Sequence, residues 1–151
     1  MSGQRELCTF YLDQSLLGIE VSRVQEVLRD QTLTRVPLAT DDVEGLINLR
    51  GRIVTALDLR RRLGMPPRPD DVEPMNVVVA TDDGPVALLV DRIGDVMEVH
   101  ADTFESPPDN LSGTARELIQ GAYKLDGPLL LALDVDRAVT VQASATASAL
   151  T

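Results

Sequence analysis

The chain has 151 residues, 44% hydrophobic and 25% charged, and a formal net charge of -10 at pH 7. Such a composition fits one ordinary domain able to bury a core without disulfides or metal, and it excludes wholesale disorder and collagen-like repeats. The negative charge opposes nucleic acid and anionic membranes, two Phe and two Tyr are too few for a base-stacking platform, and no apolar run approaches the about 20 residues that span a bilayer.

Leu7–Leu12 and Leu16–Glu20 flank the turn residues Asp13-Gln14-Ser15 and predict a β-hairpin. Ser22, followed by Gln25, then reads as a helix N-terminus, with Val24, Val27 and Leu28 at helical spacing. Thr32 to Val36 alternates before Pro37, and Asp41 to Gly45 reads as one helical turn closed by glycine. After the Arg50-Gly51 turn, Arg52 to Asp58 has strand character, with Ile53, Thr55 and Leu57 on one face and Val54 and Ala56 on the other. Leu59 to Leu63 predicts a short helix stopped by Gly64 in the left-handed region.

Met65 to Glu73, with Pro66, Pro67 and Pro69, reads as a surface loop or linker. Asn76–Ala80 and Val86–Val90 surround Thr81-Asp82-Asp83-Gly84-Pro85, a strong hairpin signal, and Val96 to His100 continues the sheet. Phe104 to Gly113 reads as loop. Leu118–Leu125 and Leu129–Leu133 form a further hairpin across Asp126-Gly127-Pro128, and Asp134 to Ala138 reads as a closing turn or short helix. Gln142 to Thr151 lacks periodicity and reads as a frayed tail. About nine short strands in two groups, divided near residues 65–75, predict a mainly β fold of two small packed barrels.

Little chemistry is on offer. His100 is the single histidine and Cys8 the single cysteine, which cannot form a zinc site, and Cys8 reads as a buried, inert thiol. The acid pairs Asp41-Asp42, Asp70-Asp71 and Asp82-Asp83 read as solvated turn residues, and Asp134-Val135-Asp136 is too short a match to a calcium loop. No phosphate-binding glycine loop occurs, so no cofactor and no catalytic residue is expected. Met1 to Glu6 lacks the apolar core of a secretory signal, which leaves a cytoplasmic protein as the expectation. The informative stretch is Asn48 to Leu63, where Arg50, Arg52, Arg60, Arg61 and Arg62 crowd into an otherwise acidic chain. Two readings stand: a solvated face whose arginines pair with acids such as Glu26, Glu44 and Asp58, or a docking surface for a carboxylate-bearing protein.

The run from Val43 to Arg60, containing Gly45-Leu46-Ile47-Asn48-Leu49-Arg50-Gly51 and Leu57-Asp58-Leu59-Arg60, strongly resembles the signature of the chemotaxis coupling protein family CheW. Phe10-Tyr11-Leu12, Gly18-Ile19-Glu20-Val21 and Val24-Gln25-Glu26-Val27 resemble its first hairpin and helix, and Val86 to Val96 a later segment, so the likeness covers about residues 5–141. Thr55-Ala56 departs from the family's usual proline and aliphatic residue at that point.

The resemblance implies two packed five-stranded, SH3-like β-barrel subdomains, with a linker near residues 65–75, in one domain spanning residues 5–141 and followed by a disordered tail at 142–151. It further implies a non-enzymatic, stand-alone adaptor, monomeric when alone. Such an adaptor couples the cytoplasmic tips of methyl-accepting chemoreceptors to the regulatory domain of the histidine kinase CheA and helps assemble the signalling array at the membrane. Val24, Glu26 and Arg50 match the family's receptor-facing residues, with Asn48, Leu49 and Gly51 shaping the turn that presents Arg50. An ion pair between Glu26 and Arg50 is expected; no kinase-contact residue is assigned. A small-molecule or peptide-binding β-barrel sensor outside chemotaxis stands as the alternative.

Overall fold

The first hairpin forms where its turn chemistry predicts. In the computed structural model, which describes residues 4–29, 33–34, 43–109, 111, 113–125 and 127–139, β1 (Gln4–Leu12) and β2 (Ser15–Glu20) pair antiparallel from Leu7↔Glu20 to Leu12↔Ser15. Asp13 takes φ 56° in the turn, a conformation that Asp tolerates better than most residues. The chain continues through a 3-10 turn (Val21–Arg23), β3 (Val24–Leu28), β4 (Val43–Leu49), β5 (Arg52–Asp58), α1 (Leu59–Arg62), β6 (Met75–Thr81) and β7 (Gly84–Val90). It then forms β8 (Arg92–His100), a second 3-10 turn (Ala101–Thr103), β9 (Phe104–Glu105), α2 (Gly113–Leu118), β10 (Ile119–Lys124) and β11 (Leu129–Leu133), with residues 135–139 helical.

Three local expectations are corrected. The helix expected from Ser22 is a strand after its first turn: Val27 and Leu28 pair antiparallel with Val77 and Asn76. The spacing of Val24, Val27 and Leu28 is helical, but the β-branched valines yield to a sheet that supplies a ladder, which leaves Val27 on the exposed side. The helical turn expected at Asp41–Gly45 is also strand in its described part. Gly45 sits at a bulge of β4, and Leu46 exchanges two backbone hydrogen bonds with Thr34 (2.8 and 2.9 Å). A Cβ at Gly45 would press to 2.6 Å from the Thr34 carbonyl oxygen, so the bridge requires glycine. The loop expected from Phe104 to Gly113 contains β9, whose Phe104 packs on Tyr123 with ring centroids 4.9 Å apart, and Gly113 opens α2. The expectations for residues 32, 35–36, 41–42, 126 and 142–151 lie outside the described residues.

The helix expected after Asp58 is present. The Arg60 amide donates to Asp58 Oδ1 (3.1 Å), which caps α1, and Gly64 ends it at φ 74°.

Two sheets result. One has six strands in the order β8-β1-β2-β11-β10-β9, the other five in the order β3-β6-β7-β5-β4. Both are antiparallel apart from the β11–β2 and β5–β7 pairs. The sheets do not part near residues 65–75, where the strand groups suggested a division. The N-terminal β1 and β2 join the sheet of β8 to β11, while β6 and β7 join that of β3 to β5. The chain therefore crosses between sheets at Val21–Arg23 and again at Asp91, the single residue between β7 and β8.

Burial explains the pairing. Phe10, Leu12, Leu17 and Ile19 of the first sheet meet Leu57, Val77, Val79, Leu88 and Val90 of the second in one shared core. Behind this layer each sheet has its own cluster: Leu7, Leu16, Val99, Tyr123 and Leu130 in the first, Ile47, Val54, Ala56, Val78, Ala87 and Leu89 in the second. A sheet that buries apolar residues on both faces without covering helices has to curl around one of them. The architecture is that of two packed SH3-like β subdomains. Strand β5 shows it within seven residues, with Leu57 in the shared core and Val54 and Ala56 in the private one.

Candidate docking site

The signature segment forms the β4–β5 hairpin, and its turn is tight. Arg50 and Gly51 both have positive φ, 53° and 86°, as a two-residue type I′ turn requires. The Gly51 amide donates to Asn48 Oδ1 at 2.9 Å, closing the turn from below. Asn48 is therefore a turn-former, and Gly51 supplies a conformation that other residues adopt only at a cost.

The turn carries Arg50 to Glu26 of β3. Arg50 Nη1 donates to Glu26 Oε2 at 2.6 Å, with the arginine side chain 75% exposed and the glutamate 22%. β3 and β4 are the two margins of the five-stranded sheet, so this contact links its opposite edges. Leu28 near one margin and Leu49 near the other both pack against the private core of that sheet. Val24 lies on β3 on the other side of a bulge and packs against the shared core. Beside the turn, Ile53 is opposite Asn48 and is the most exposed large apolar side chain among the described residues.

The five clustered arginines do not form one surface. Arg50, Arg52 and Arg61 are exposed, but Arg60 and Arg62 are buried. Arg61 lies 3.7 Å from Asp58, and Arg62 donates through Nε to the Ala138 carbonyl at 3.1 Å. Glu44's side chain lies outside the described residues.

Arg60 belongs to a network whose key partner is 31 residues away in sequence. Its Nε donates to both oxygens of Asp91 (3.0 and 3.1 Å), and Nη2 also bonds that carboxylate. Arg68, from the loop after α1, donates to Asp91 Oδ1 at 2.8 Å and to Asp58 Oδ1 at 3.2 Å. The Asp13 amide adds a bond to Asp91 Oδ2 at 2.6 Å. Burial acts to raise the Asp91 carboxyl, but the bonds from Arg60, Asp13 and Arg68 outweigh it and hold the group below its ordinary range. The first crossing between sheets has its own tie, where Arg23 donates to the Ala80 carbonyl (2.9 Å) and to Asp136 (2.7 Å).

The expected isolated groups fall as follows. Cys8 is buried, and desolvation pushes its thiol up. His100 is exposed at the end of β8, and Asp70, Asp71, Asp82 and Asp83 are exposed in turns. Among the described residues no cluster of three or more potential metal ligands occurs, and no helix is long and apolar enough to cross a membrane.

Two curled β subdomains that share a core and hold a charged side chain on a locked turn define a docking scaffold. The comparisons agree. Residues 6–143 match the CheW-like domain family. The chain is 32% identical over 135 residues to the chemotaxis protein CheW of Thermotoga maritima, covering 89% of this chain and 87% of the relative. It is 29% identical over 140 residues to that of Treponema pallidum, covering 89% and 81%. The structure is similar to that of the scaffolding protein TtCheW from Thermoanaerobacter tengcongensis, with TM-score 0.78, 26% identity and coverage of 89% of this chain and 90% of that one. This chain belongs to the CheW-like domain family, and its role is that of a chemotaxis coupling adaptor.

Proposed function

We propose that the protein is a non-enzymatic adaptor that joins the cytoplasmic tips of methyl-accepting chemoreceptors to the regulatory domain of a CheA-type histidine kinase, and that the β4–β5 turn is its receptor-facing element. The observation carrying this reading is the Arg50–Glu26 pair: a guanidinium 75% exposed, held at 2.6 Å by a carboxylate that is only 22% exposed. An exposed pair of this kind contributes about 0–1 kcal/mol to stability, so its value lies in orienting Arg50. One guanidinium face remains for a carboxylate or carbonyl of the partner, and Ile53 supplies adjoining apolar area. Val24, Glu26, Asn48, Leu49, Arg50 and Gly51 form the proposed receptor site, with Asn48 and Gly51 fixing the turn and Val24 and Leu49 anchoring its strands. The protein works in the cytoplasm as a monomer until recruited to receptor arrays.

The test is co-sedimentation of the purified protein with membranes carrying a chemoreceptor, with and without a CheA-type kinase. Binding to both, lost from the receptor in Arg50→Glu, is the expected result. Failure to bind either partner overturns the reading.

A further inference from the structure

The Pro-rich stretch between α1 and β6 is more than a linker. From Pro66 to Asp71 every residue but one is exposed; the exception is Arg68, whose side chain is 10% exposed. It reaches inward to two carboxylates, Asp58 at the end of β5 and Asp91 at the second crossing between sheets, which are 6% and 5% exposed. Its Nη2 also lies 3.4 Å from the Leu89 carbonyl. From the inner side Arg60 answers, donating through Nη1 to the carbonyls of Pro66 (3.1 Å) and Pro67 (3.3 Å) while its other nitrogens hold Asp91. The loop is thus fastened twice, once by its own arginine and once through its carbonyls.

We propose that residues 65–74 are a strap buckled by Arg68 across the Asp91 crossing, able to open locally while both sheets stay folded. Three features support an independent opening unit. The shared core contains only Met65 from this stretch, as a partly buried neighbour, so opening it costs little apolar burial. Among the described residues, and apart from the bonds at its ends and to the two arginines, the stretch has a single internal backbone bond, from the Val72 amide to the Pro69 carbonyl (3.1 Å). When Arg68 leaves, Asp91 keeps Arg60 and the Asp13 amide, and Asp58 keeps the Arg60 amide and Arg61, so neither buried acid is stranded. Pro66, Pro67 and Pro69 restrict the open loop, which lowers the entropy opposing closure and lets one buried side chain act as the buckle. The closed strap lies across one of the two places where the chain passes from one sheet to the other.

The experiment is amide hydrogen exchange on the full chain, comparing wild type with Arg68→Gln, alongside thermolysin cleavage near Val72 under native conditions. The expected result is exchange at least about tenfold faster at the hydrogen-bonded Val72 amide in the variant, faster nicking beside it, and unchanged protection in β1, β2, β6 and β7. Unchanged exchange in the strap overturns the proposal, because the prolines and Arg60 would then hold it alone. Loss of protection throughout both sheets overturns it as well, since Arg68 would then be an element of global stability. Asp58→Asn gives a second reading of the same buckle from the other side, with strap exchange expected to rise in that variant too.

Discussion

Arg50 and Glu26 lie at opposite margins of one five-stranded sheet and meet at 2.6 Å. The pair both reports the curl of that sheet and sets the direction of the exposed guanidinium.

Replacing Arg50 with Glu places like charges together at that margin. Thermal unfolding is expected to show a loss of no more than about 1 kcal/mol, because the pair is solvent-screened, while receptor binding falls sharply. The charge swap Glu26→Arg with Arg50→Glu separates the two roles. It restores the pair and the melting temperature but leaves the partner facing a carboxylate, so binding stays lost. A swapped protein that binds normally would show that turn shape, not charge, is recognised.

Gly51→Ala tests the presentation of Arg50 by another route. At φ 86° an alanine costs about 1–2 kcal/mol, and the turn can relieve this by rotating. Receptor affinity is expected to drop although no charge has changed. Affinity equal to wild type would mean that the turn tolerates the shift.

Leu57 reaches the shared core from β5 and is 1% exposed. Leu57→Ala is expected to cost about 2–5 kcal/mol by denaturant titration, from lost burial and a residual cavity. The transition should remain single and cooperative, because both sheets lean on that core. Two separated transitions would argue for subdomains that fold alone.

Asp91 gives a pH signature. Its folded carboxyl titrates below the unfolded value because three donors outweigh desolvation. The stabilisation is therefore fully present above the unfolded carboxylate pKa of about 3.9 and is lost as pH falls through the lower folded value. Asp91→Asn is expected to be less stable at neutral pH and to lose less stability on acidification than wild type. Parallel pH profiles would show that Asp91 is not the titrating group.

Cys8 provides a simple check of burial. Its thiol is buried and its pKa raised, so iodoacetamide should label it slowly in buffer and rapidly in denaturant. Rapid native labelling would contradict the packing of β1.

The hairpins were legible in the sequence because Asp13, Arg50-Gly51 and Asp82-Asp83 announce their turns locally. The Glu26–Arg50 pair was legible through the family signature. Strand β3 was not, since Val24, Val27 and Leu28 follow helical spacing, and the ladder with the valines of β6 overrides it. Charge misled in a different way. Arg60 and Arg62 look like surface residues in any local window, and their burial depends on Asp91 and the Ala138 carbonyl, far along the chain. The division sought near residues 65–75 failed for a related reason: strand spacing carries no information about which distant strand will be the neighbour.

The interleaved strand order also dictates an order of assembly. All the strands of the five-stranded sheet lie between residues 24 and 90, so that sheet has its full complement once β7 is made. β1 and β2 are synthesised first yet wait for β8 and β11, since Gln4 pairs with His100 and Leu16 with Leu130. The β1–β2 hairpin thus emerges with Leu7, Leu16 and their neighbours uncovered until β8 and β11 follow it, so the six-stranded sheet closes after the five-stranded one.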